Sequence, residues 1–121
     1  MAKKILIVDD SASMRQMVNF TLAEEGYEVR EAENGQEALD SMKGDTPDLV
    51  ITDINMPVMD GIELIKQIRA AGEFKFTPII VLTTESEESK QNEGKQAGAT
   101  AWLIKPFTPE KLTETVKKVA G

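Results

Sequence analysis

The chain has 121 residues, which is enough for one domain with a substantial hydrophobic core and too few for two. Its 14 basic and 21 acidic residues give a net charge of −7, and the basic residues form no stripe, so we expect no nucleic acid partner. Cysteine and histidine are both absent, which excludes disulfides, thiolate metal sites and the commonest general base. Chemistry here must use carboxylates, hydroxyls, amines or a hard metal ion.

The hydrophobic segments of the chain are all short. None approaches the ~20 apolar residues that a membrane span needs. Residues 1–4 lead directly into the strand-like residues 5–8, which are too few for the apolar region of a signal peptide. We therefore predict a cytoplasmic protein with no membrane partner.

The first half of the chain alternates twice between a strand and a helix. In chain order, apolar periodicity and capping residues predict a buried strand over Lys4–Val8, a helix capped by Ser11 or Ser13 and stopped at Gly26, a less buried edge strand over 27–32, and a helix over 35–43 closed by Gly44.

The second half repeats this alternation three times. It predicts a buried strand over 49–52, a helix capped by Asp60 and ending near Gly72, a strand over 79–82, a helix over 86–97, a strand over 101–104, and a helix capped by Thr108 with Pro109 in its first position. Such alternation predicts a parallel sheet covered on both faces. We therefore expect a five-stranded, doubly wound α/β fold forming one domain over residues 1–121.

The fourth predicted helix differs from the others because it has almost no apolar face. It also contains Gly94, which costs roughly 1 kcal/mol relative to alanine within a helix. One interpretation is a solvated helix that its neighbours hold in place. The other is a segment that opens easily because it must shift when a nearby site is occupied.

Four of the five predicted strands end in a polar group, and parallel strands bring their carboxyl ends to one edge of the sheet. These groups are Asp9 with Asp10, Asp53, Thr83 and Lys105. One aspartate after a strand is ordinarily a cap or turn residue, but three clustered carboxylates repel one another unless a cation lies between them. Mg²⁺ fits better than Ca²⁺, because no loop supplies six to eight oxygens. We predict Asp10 and Asp53 as direct ligands and Asp9 as a ligand through water.

The same edge contains the groups needed to hold a phosphoryl group. Asp53 is a carboxylate nucleophile, Lys105 supplies a positive charge and Thr83 supplies a hydroxyl. An in-line transfer onto Asp53 would form an aspartyl phosphate.

Four motifs together resemble the receiver domain of bacterial response regulators. They are IVDD at 7–10, ITDINMPVMDG at 51–61, LTT at 82–84 and LIKPF at 103–107. The resemblance covers the whole chain with the motifs in the same order. It implies a flavodoxin-like sheet with strand order 2-1-3-4-5 and a cis peptide bond before Pro106.

The resemblance also implies roles for the site residues. Asp53 is similar to the phospho-acceptor, and Lys105 and Thr83 to the groups that contact the phosphoryl oxygens. The metal ligands implied are Asp9, Asp10, Asp53 and the backbone carbonyl of Asn55, with Mg²⁺ as the cofactor and Mn²⁺ as a substitute. Asn55 and Glu85 flank the site and are expected to tune the lifetime of the phosphorylated form.

A conformational switch is a further implication of the resemblance. In the family, the hydroxyl at the position of Thr83 moves toward the phosphate, and an aromatic ring on the fifth strand turns inward. That aromatic position is Trp102, where tyrosine or phenylalanine is more usual. The indole either takes both positions or stays static and half-buried against the last helix.

The partners implied are a chemotaxis-type histidine kinase as phosphodonor and a downstream protein such as a flagellar motor switch protein. We expect a stand-alone, monomeric receiver most similar to chemotaxis receivers, catalysing only its own phosphoryl transfer and hydrolysis; a non-chemotaxis phosphorelay is the alternative. Two other classes of protein are alternatives. A metal-dependent phosphatase would need an acid where Asn55 stands, and a flavin-binding module would need a phosphate-cradling loop where Asp9 and Asp10 stand.

Overall fold

A computed structural model describes residues 2–84 and 88–120, with the backbone alone described at 84 and 88–91. The described elements alternate in chain order: β1 Lys4–Val8, α1 Ala12–Glu24, β2 Glu28–Ala32, α2 Gly35–Gly44, β3 Leu49–Asp53, α3 Gly61–Ala70, a 3-10 turn Gly72–Phe74, β4 Ile79–Thr84, α4 Glu88–Ala97, β5 Ala101–Lys105 and α5 Pro109–Ala120. The predicted start of the fourth helix at Ser86 lies outside the described residues.

The five strands form one parallel sheet in the order β2-β1-β3-β4-β5. This confirms the predicted fold class and strand order. The central strand β3 is buried along its whole length, whereas β2 lies at an edge and exposes Glu28, as its alternating pattern predicted. Within the described part of the chain, no helix is both long and apolar enough to cross a membrane.

Alternating side chains of the strands divide the core into two layers. On one face, Leu6, Val8 and Val50 pack with apolar residues of α2 and α3. On the other face, Ile5, Ile7 and Ile51 pack with apolar residues of α1 and α5. The second layer includes these helix residues: Val18, Leu22, Leu112 and Val116. Because both faces of the sheet are covered, the open ends of the strands are where polar side chains can gather.

Side chains cap the starts of four helices. The side-chain oxygens of Ser11, Asn34, Asp60 and Thr108 each accept a hydrogen bond from a backbone N–H in the first turn, at distances of 3.3, 2.9, 2.8 and 3.1 Å respectively. Ser11, and not Ser13, is therefore the cap of α1, and Asn34 is a cap that we did not predict. Gly26 follows α1 with φ +93°, a left-handed conformation that favours glycine.

Strand ends differ from the predicted bounds by one or two residues. Asp53, Thr83 and Lys105 belong to their strands because the ladder continues through them, pairing Asp53 with Leu82 and Thr83 with Ile104. Tyr27 lies outside β2, and its backbone N–H donates to Leu22 at the end of α1. The ladder extends past the predicted strand ends because backbone pairing does not depend on the polarity of the side chain.

Arg69 connects α3 to two loops that lie where strands β4 and β5 begin. Its guanidinium donates to the carbonyl oxygen of Gly98, after α4, at 2.9 Å from Nη2 and 3.1 Å from Nε. Nη1 donates to the carbonyls of Phe74, Lys75 and Thr77, which precede β4. One half-buried guanidinium therefore binds backbone carbonyls from two separate turns.

Candidate functional site

The carboxyl ends of β1, β3 and β5 bring the predicted site residues together. Val8 pairs with Thr52 across β1 and β3, so Asp9 and Asp53 follow at neighbouring positions on the same edge. Carboxylate oxygens of Asp9, Asp10 and Asp53 all lie within 4.8 Å of one another. Asp9 is 1% exposed, whereas Asp10 faces solvent. The predicted acidic cluster is therefore present.

Lys105 at the end of β5 reaches into this cluster. Its Nζ lies 3.3 Å from Oδ2 of Asp53 and 3.5 Å from Oδ2 of Asp9. The lysine side chain is 22% exposed, so it is only partly hydrated. The Lys105–Pro106 peptide bond is cis, as the resemblance implied. One ammonium thus contacts acids from two other strands.

The Asp53 carboxyl is held in a defined orientation. Its Oδ1 accepts a hydrogen bond from the backbone N–H of Ile54 at 2.8 Å, and its Oδ2 faces Lys105. Burial raises the pKa of the Asp53 carboxyl above its usual range, while the charge of Lys105 and the Ile54 N–H oppose this rise and the charge of Asp9 adds to it. Asp53 is therefore a partly desolvated carboxyl whose charge depends on the cations around it.

The loop after β3 is packed closely behind Asp53. The backbone N–H of Gly61 donates to the carbonyl of Ile54 at 2.8 Å, and a Cβ at Gly61 would lie 2.2 Å from the backbone oxygen of Asp53. In the same loop, Val58 has φ +69° and is exposed. A β-branched residue is rarely found in this left-handed region, so the loop beside the site carries backbone strain.

The remaining predicted residues lie around this edge. Thr83 is buried near the end of β4, and Asn55 is exposed immediately after β3. Trp102 is half-buried on β5, packs against the core layer that contains α2 and α3, and also lines a groove with Thr108 and Lys111 of α5. Glu85 lies outside the described residues.

The acidic cluster has the donor set that Mg²⁺ prefers. Oδ2 of Asp9 is buried and accepts no hydrogen bond from the described residues, although Nζ of Lys105 lies 3.5 Å away. Ligand oxygens on one octahedral magnesium ion lie roughly 3 to 4 Å apart, given metal–oxygen distances of about 2.1 Å. The three acids, with oxygens within 4.8 Å of one another, are therefore the residues that would hold such an ion.

Comparison with known proteins identifies the family. The model of the response regulator receiver domain matches residues 5–117. The chain belongs to this family. The receiver is 43% identical over 120 residues to the chemotaxis protein CheY1 of Helicobacter pylori (strain J99), covering 98% of this chain and 97% of that protein.

Solved structures of other receivers have the same fold. The chemotaxis protein CheY4 of Vibrio cholerae matches with a TM-score of 0.93 and 50% identity, covering 98% of this chain and 99% of that chain. The receiver domain of the sensor histidine kinase PA1611 from Pseudomonas aeruginosa matches with a TM-score of 0.91 and 28% identity over 100% of this chain and 99% of that chain. That structure holds a magnesium ion coordinated in its active-site cleft.

Sequence reasoning missed one residue at the edge of the receiver's acidic cluster. The guanidinium of Arg15, on the first turn of α1, donates from Nη1 to the backbone carbonyl of Asp9 at 2.7 Å. Its position one helical turn beyond the Ser11 cap was a usable signal, because a side chain there can fold back toward the acid pair. Basic residues dispersed along the chain indicate no nucleic acid surface, but a single one can still bind a backbone oxygen.

Proposed function

We propose that this receiver is a phosphorylation-operated switch in two-component signalling, with Asp53 as the phospho-acceptor. The observation that carries the proposal is the position of the Asp53 carboxyl, which lies close to the acid pair at the end of β1 and in contact with the ammonium of Lys105. Membership of the receiver family supports the switch and argues against the phosphatase and flavin-binding alternatives.

The proposed reaction transfers a phosphoryl group from a phosphohistidine to Asp53. A carboxylate oxygen of Asp53 forms the new bond to phosphorus as the phosphorus–nitrogen bond breaks, and its electron pair stays on the imidazole. The Ile54 N–H orients the carboxyl, and Lys105 and the Thr83 hydroxyl are proposed to contact the phosphoryl oxygens. A bound Mg²⁺ would neutralise negative charge on the acids and on the phosphoryl group.

The proposed output is a shift between two pre-existing states of the protein. A phosphoryl group on Asp53 would withdraw Lys105 from its carboxylate partners and attract the Thr83 hydroxyl at the end of β4. Both changes occur beside the surface formed by α4, β5 and α5, which is the proposed target-binding face, and Trp102 lies on that face. The phosphoryl group shifts the equilibrium only by its differential interaction with the two states.

Partners and location are proposed from the relatives. CheY1 of Helicobacter pylori and CheY4 of Vibrio cholerae are chemotaxis proteins by name. By analogy, we propose a histidine kinase as phosphodonor, a motor-switch type of protein as target, and a monomer acting in the cytoplasm. Mg²⁺ is the proposed ion, and Mn²⁺ can replace it because it also prefers oxygen ligands.

Beryllofluoride, an analogue of the phosphoryl group, tests the acceptor and the switch together. With Mg²⁺ present, the wild type should bind it saturably and change the emission of Trp102, the single tryptophan of the chain. Asp53→Asn should abolish this change because the acceptor carboxylate is lost. Asp40→Asn is the matched control, since Asp40 is an exposed acid on α2.

Two results would contradict the proposal. One is the absence of beryllofluoride binding to the wild type by calorimetry, and the other is equal binding by Asp53→Asn. An unchanged tryptophan spectrum with normal binding would leave Asp53 as the acceptor and favour the static interpretation of Trp102.

A further inference from the structure

We propose that Arg15 is a positioning residue for the acid pair: its guanidinium fixes the peptide group that joins Asp9 to Asp10, and so aims both carboxylates at the metal position. This inference rests on the proposed function, because it gives Arg15 a role in magnesium binding. It adds a residue from α1 to a site otherwise built from strand ends.

The hydrogen bond from Arg15 to the backbone is short and largely shielded from solvent. Nη1 of Arg15 donates to the carbonyl oxygen of Asp9 at 2.7 Å, and the arginine side chain is only 12% exposed. That carbonyl lies in the peptide plane between Asp9 and Asp10, so its orientation sets the direction in which both side chains leave the backbone. The Asp9 N–H donates to Ala32 of β2, which fixes the other side of the same residue.

Arg15 is itself held by acids at the end of β2. Its Nε donates to Oε1 of Glu31 at 3.1 Å, and its Nη2 lies 3.8 Å from Oε1 of Glu33. The side-chain amide of Asn19, one turn along α1, donates to the other oxygen of Glu31 at 2.9 Å. The planar guanidinium is thus oriented by partners on β2 while a further N–H reaches the Asp9 carbonyl, a geometry that a lysine ammonium cannot reproduce.

A positioning role and a simple charge effect predict opposite results. If Arg15 acted only through its positive charge, its removal would leave more negative potential near the cluster and Mg²⁺ would bind more tightly. If Arg15 positions the acid pair, its removal frees the Asp9–Asp10 peptide and Mg²⁺ binds more weakly. Loss of a group that orients metal ligands typically lowers metal affinity by about 10- to 100-fold.

The test measures Mg²⁺ dissociation constants by calorimetry on four variants of the metal-free protein. Arg15→Ala should weaken binding about 10-fold or more. Arg15→Lys should weaken it nearly as much, although the charge is kept. Gln16→Ala truncates an exposed side chain next to Arg15 on α1, and Val18→Ala truncates a buried core residue of the same helix. Both controls should bind within about twofold of the wild type.

Thermal unfolding in EDTA separates stability from positioning. Val18→Ala should lower the melting temperature as much as or more than Arg15→Lys, yet keep the wild-type affinity for Mg²⁺. An unchanged or tighter Mg²⁺ affinity in both Arg15 variants would overturn the inference while leaving the proposed function intact. Absence of Mg²⁺ binding by the wild type would overturn the proposed function and this inference with it. Should Arg15→Ala fail to fold, Arg15→Lys alone decides between charge and position.

Discussion

The ammonium of Lys105 lies 3.3 Å from Oδ2 of Asp53, although α3, β4 and α4 separate the two residues in the sequence. The same ammonium lies 3.5 Å from Oδ2 of Asp9, so one side chain of β5 offsets the repulsion between acids of β1 and β3. The charged groups that the proposed reaction would use therefore also stabilise this end of the sheet.

Replacing Lys105 by methionine should destabilise the metal-free protein. Two carboxylates would lose their cation, and because Lys105 is partly exposed the expected loss is about 2 kcal/mol, below the roughly 3 to 5 kcal/mol of a fully buried pair. Urea denaturation in EDTA measures this change. Lys111→Met, on the exposed side of α5, is the control and should change stability by less than about 0.5 kcal/mol. Equal stability of the two variants would show that the contacts of Lys105 with the two acids do not stabilise the fold.

Asp53→Asn should stabilise the metal-free protein at neutral pH. Burial raises the pKa of Asp53 in the folded state, so the folded protein binds a proton more readily than the unfolded chain, whose aspartate has a pKa of about 3.9. Stability therefore falls as pH rises from the unfolded pKa through the folded pKa, and asparagine avoids this loss. Denaturation from pH 3 to 8 in EDTA should show the advantage of Asp53→Asn shrinking as pH falls. An advantage independent of pH would contradict the raised pKa.

Mg²⁺ should raise the melting temperature of the wild type, because the cluster exists only in the folded state. At a concentration 100 times the dissociation constant the expected stabilisation is about 2.7 kcal/mol. Asp10→Asn should stabilise the metal-free protein by relieving repulsion and should abolish the response to Mg²⁺. Asp40→Asn should have the wild-type stability without metal and the wild-type increase in melting temperature with Mg²⁺. A neutral or destabilising effect of Asp10→Asn in EDTA would show that the carboxylates do not repel one another as described.

Two glycine-to-alanine substitutions should have opposite effects. At Gly61 a Cβ would meet the backbone oxygen of Asp53 at 2.2 Å, so alanine should destabilise the protein by at least about 2 kcal/mol. At Gly94 a Cβ would lie 3.6 Å from Ile62 and 3.8 Å from Val81, which is ordinary contact, so alanine should stabilise the fold by about 1 kcal/mol. Chemical denaturation compares the two variants, and destabilisation by Gly94→Ala would refute the packing described for α4.

Amide exchange on the same Gly94→Ala protein examines the two interpretations of α4. If this helix opens readily in the wild type, its amides should exchange quickly and alanine should slow them. Strong protection of wild-type residues 88–97, unchanged by alanine, would support a helix that its neighbours hold in place.

Val58→Gly should stabilise the loop beside the site. Valine in the left-handed region costs roughly 1 to 2 kcal/mol, and glycine removes that cost while adding some entropy to the unfolded chain. The net gain in unfolding free energy should be about 1 kcal/mol. Val29→Gly, on a regular strand, should instead be destabilising, which separates backbone conformation from side-chain loss. A loss of stability in Val58→Gly would argue against strain at this position.

Apolar periodicity was sufficient to predict the alternation of strands and helices, whereas the strand order followed from the resemblance to the receiver family. The continuous run of β3 and the alternating run of β2 correctly indicated a buried centre and an exposed edge. Convergence of Asp9, Asp53 and Lys105 followed from parallel strand direction alone. The bounds of strands were less predictable, because backbone pairing extends through polar residues such as Thr83.

Other features required coordinates because they depend on the direction of individual side chains. The sequence offers Ser11 and Ser13 equally as caps, and only the distance to the Met14 N–H separates them. The spacing of Arg15 from the Ser11 cap allows its side chain to reach the acid pair, but the sequence does not show that it donates to the Asp9 backbone carbonyl. The left-handed conformation of Val58 contradicts its intrinsic preference and could not have been inferred from residue type.

Arg69 has a mechanical consequence for α4. Parallel strands separated by helices make each helix run back toward the strand starts, so the Gly98 carbonyl that Arg69 holds lies at the end of α4 farthest from the acid cluster. If the proposed switch shifts α4 from the side of Thr83, the end of the helix that Arg69 contacts should move least. The largest displacement should then occur at the start of α4, on the same side of the sheet as the proposed phosphorylation site.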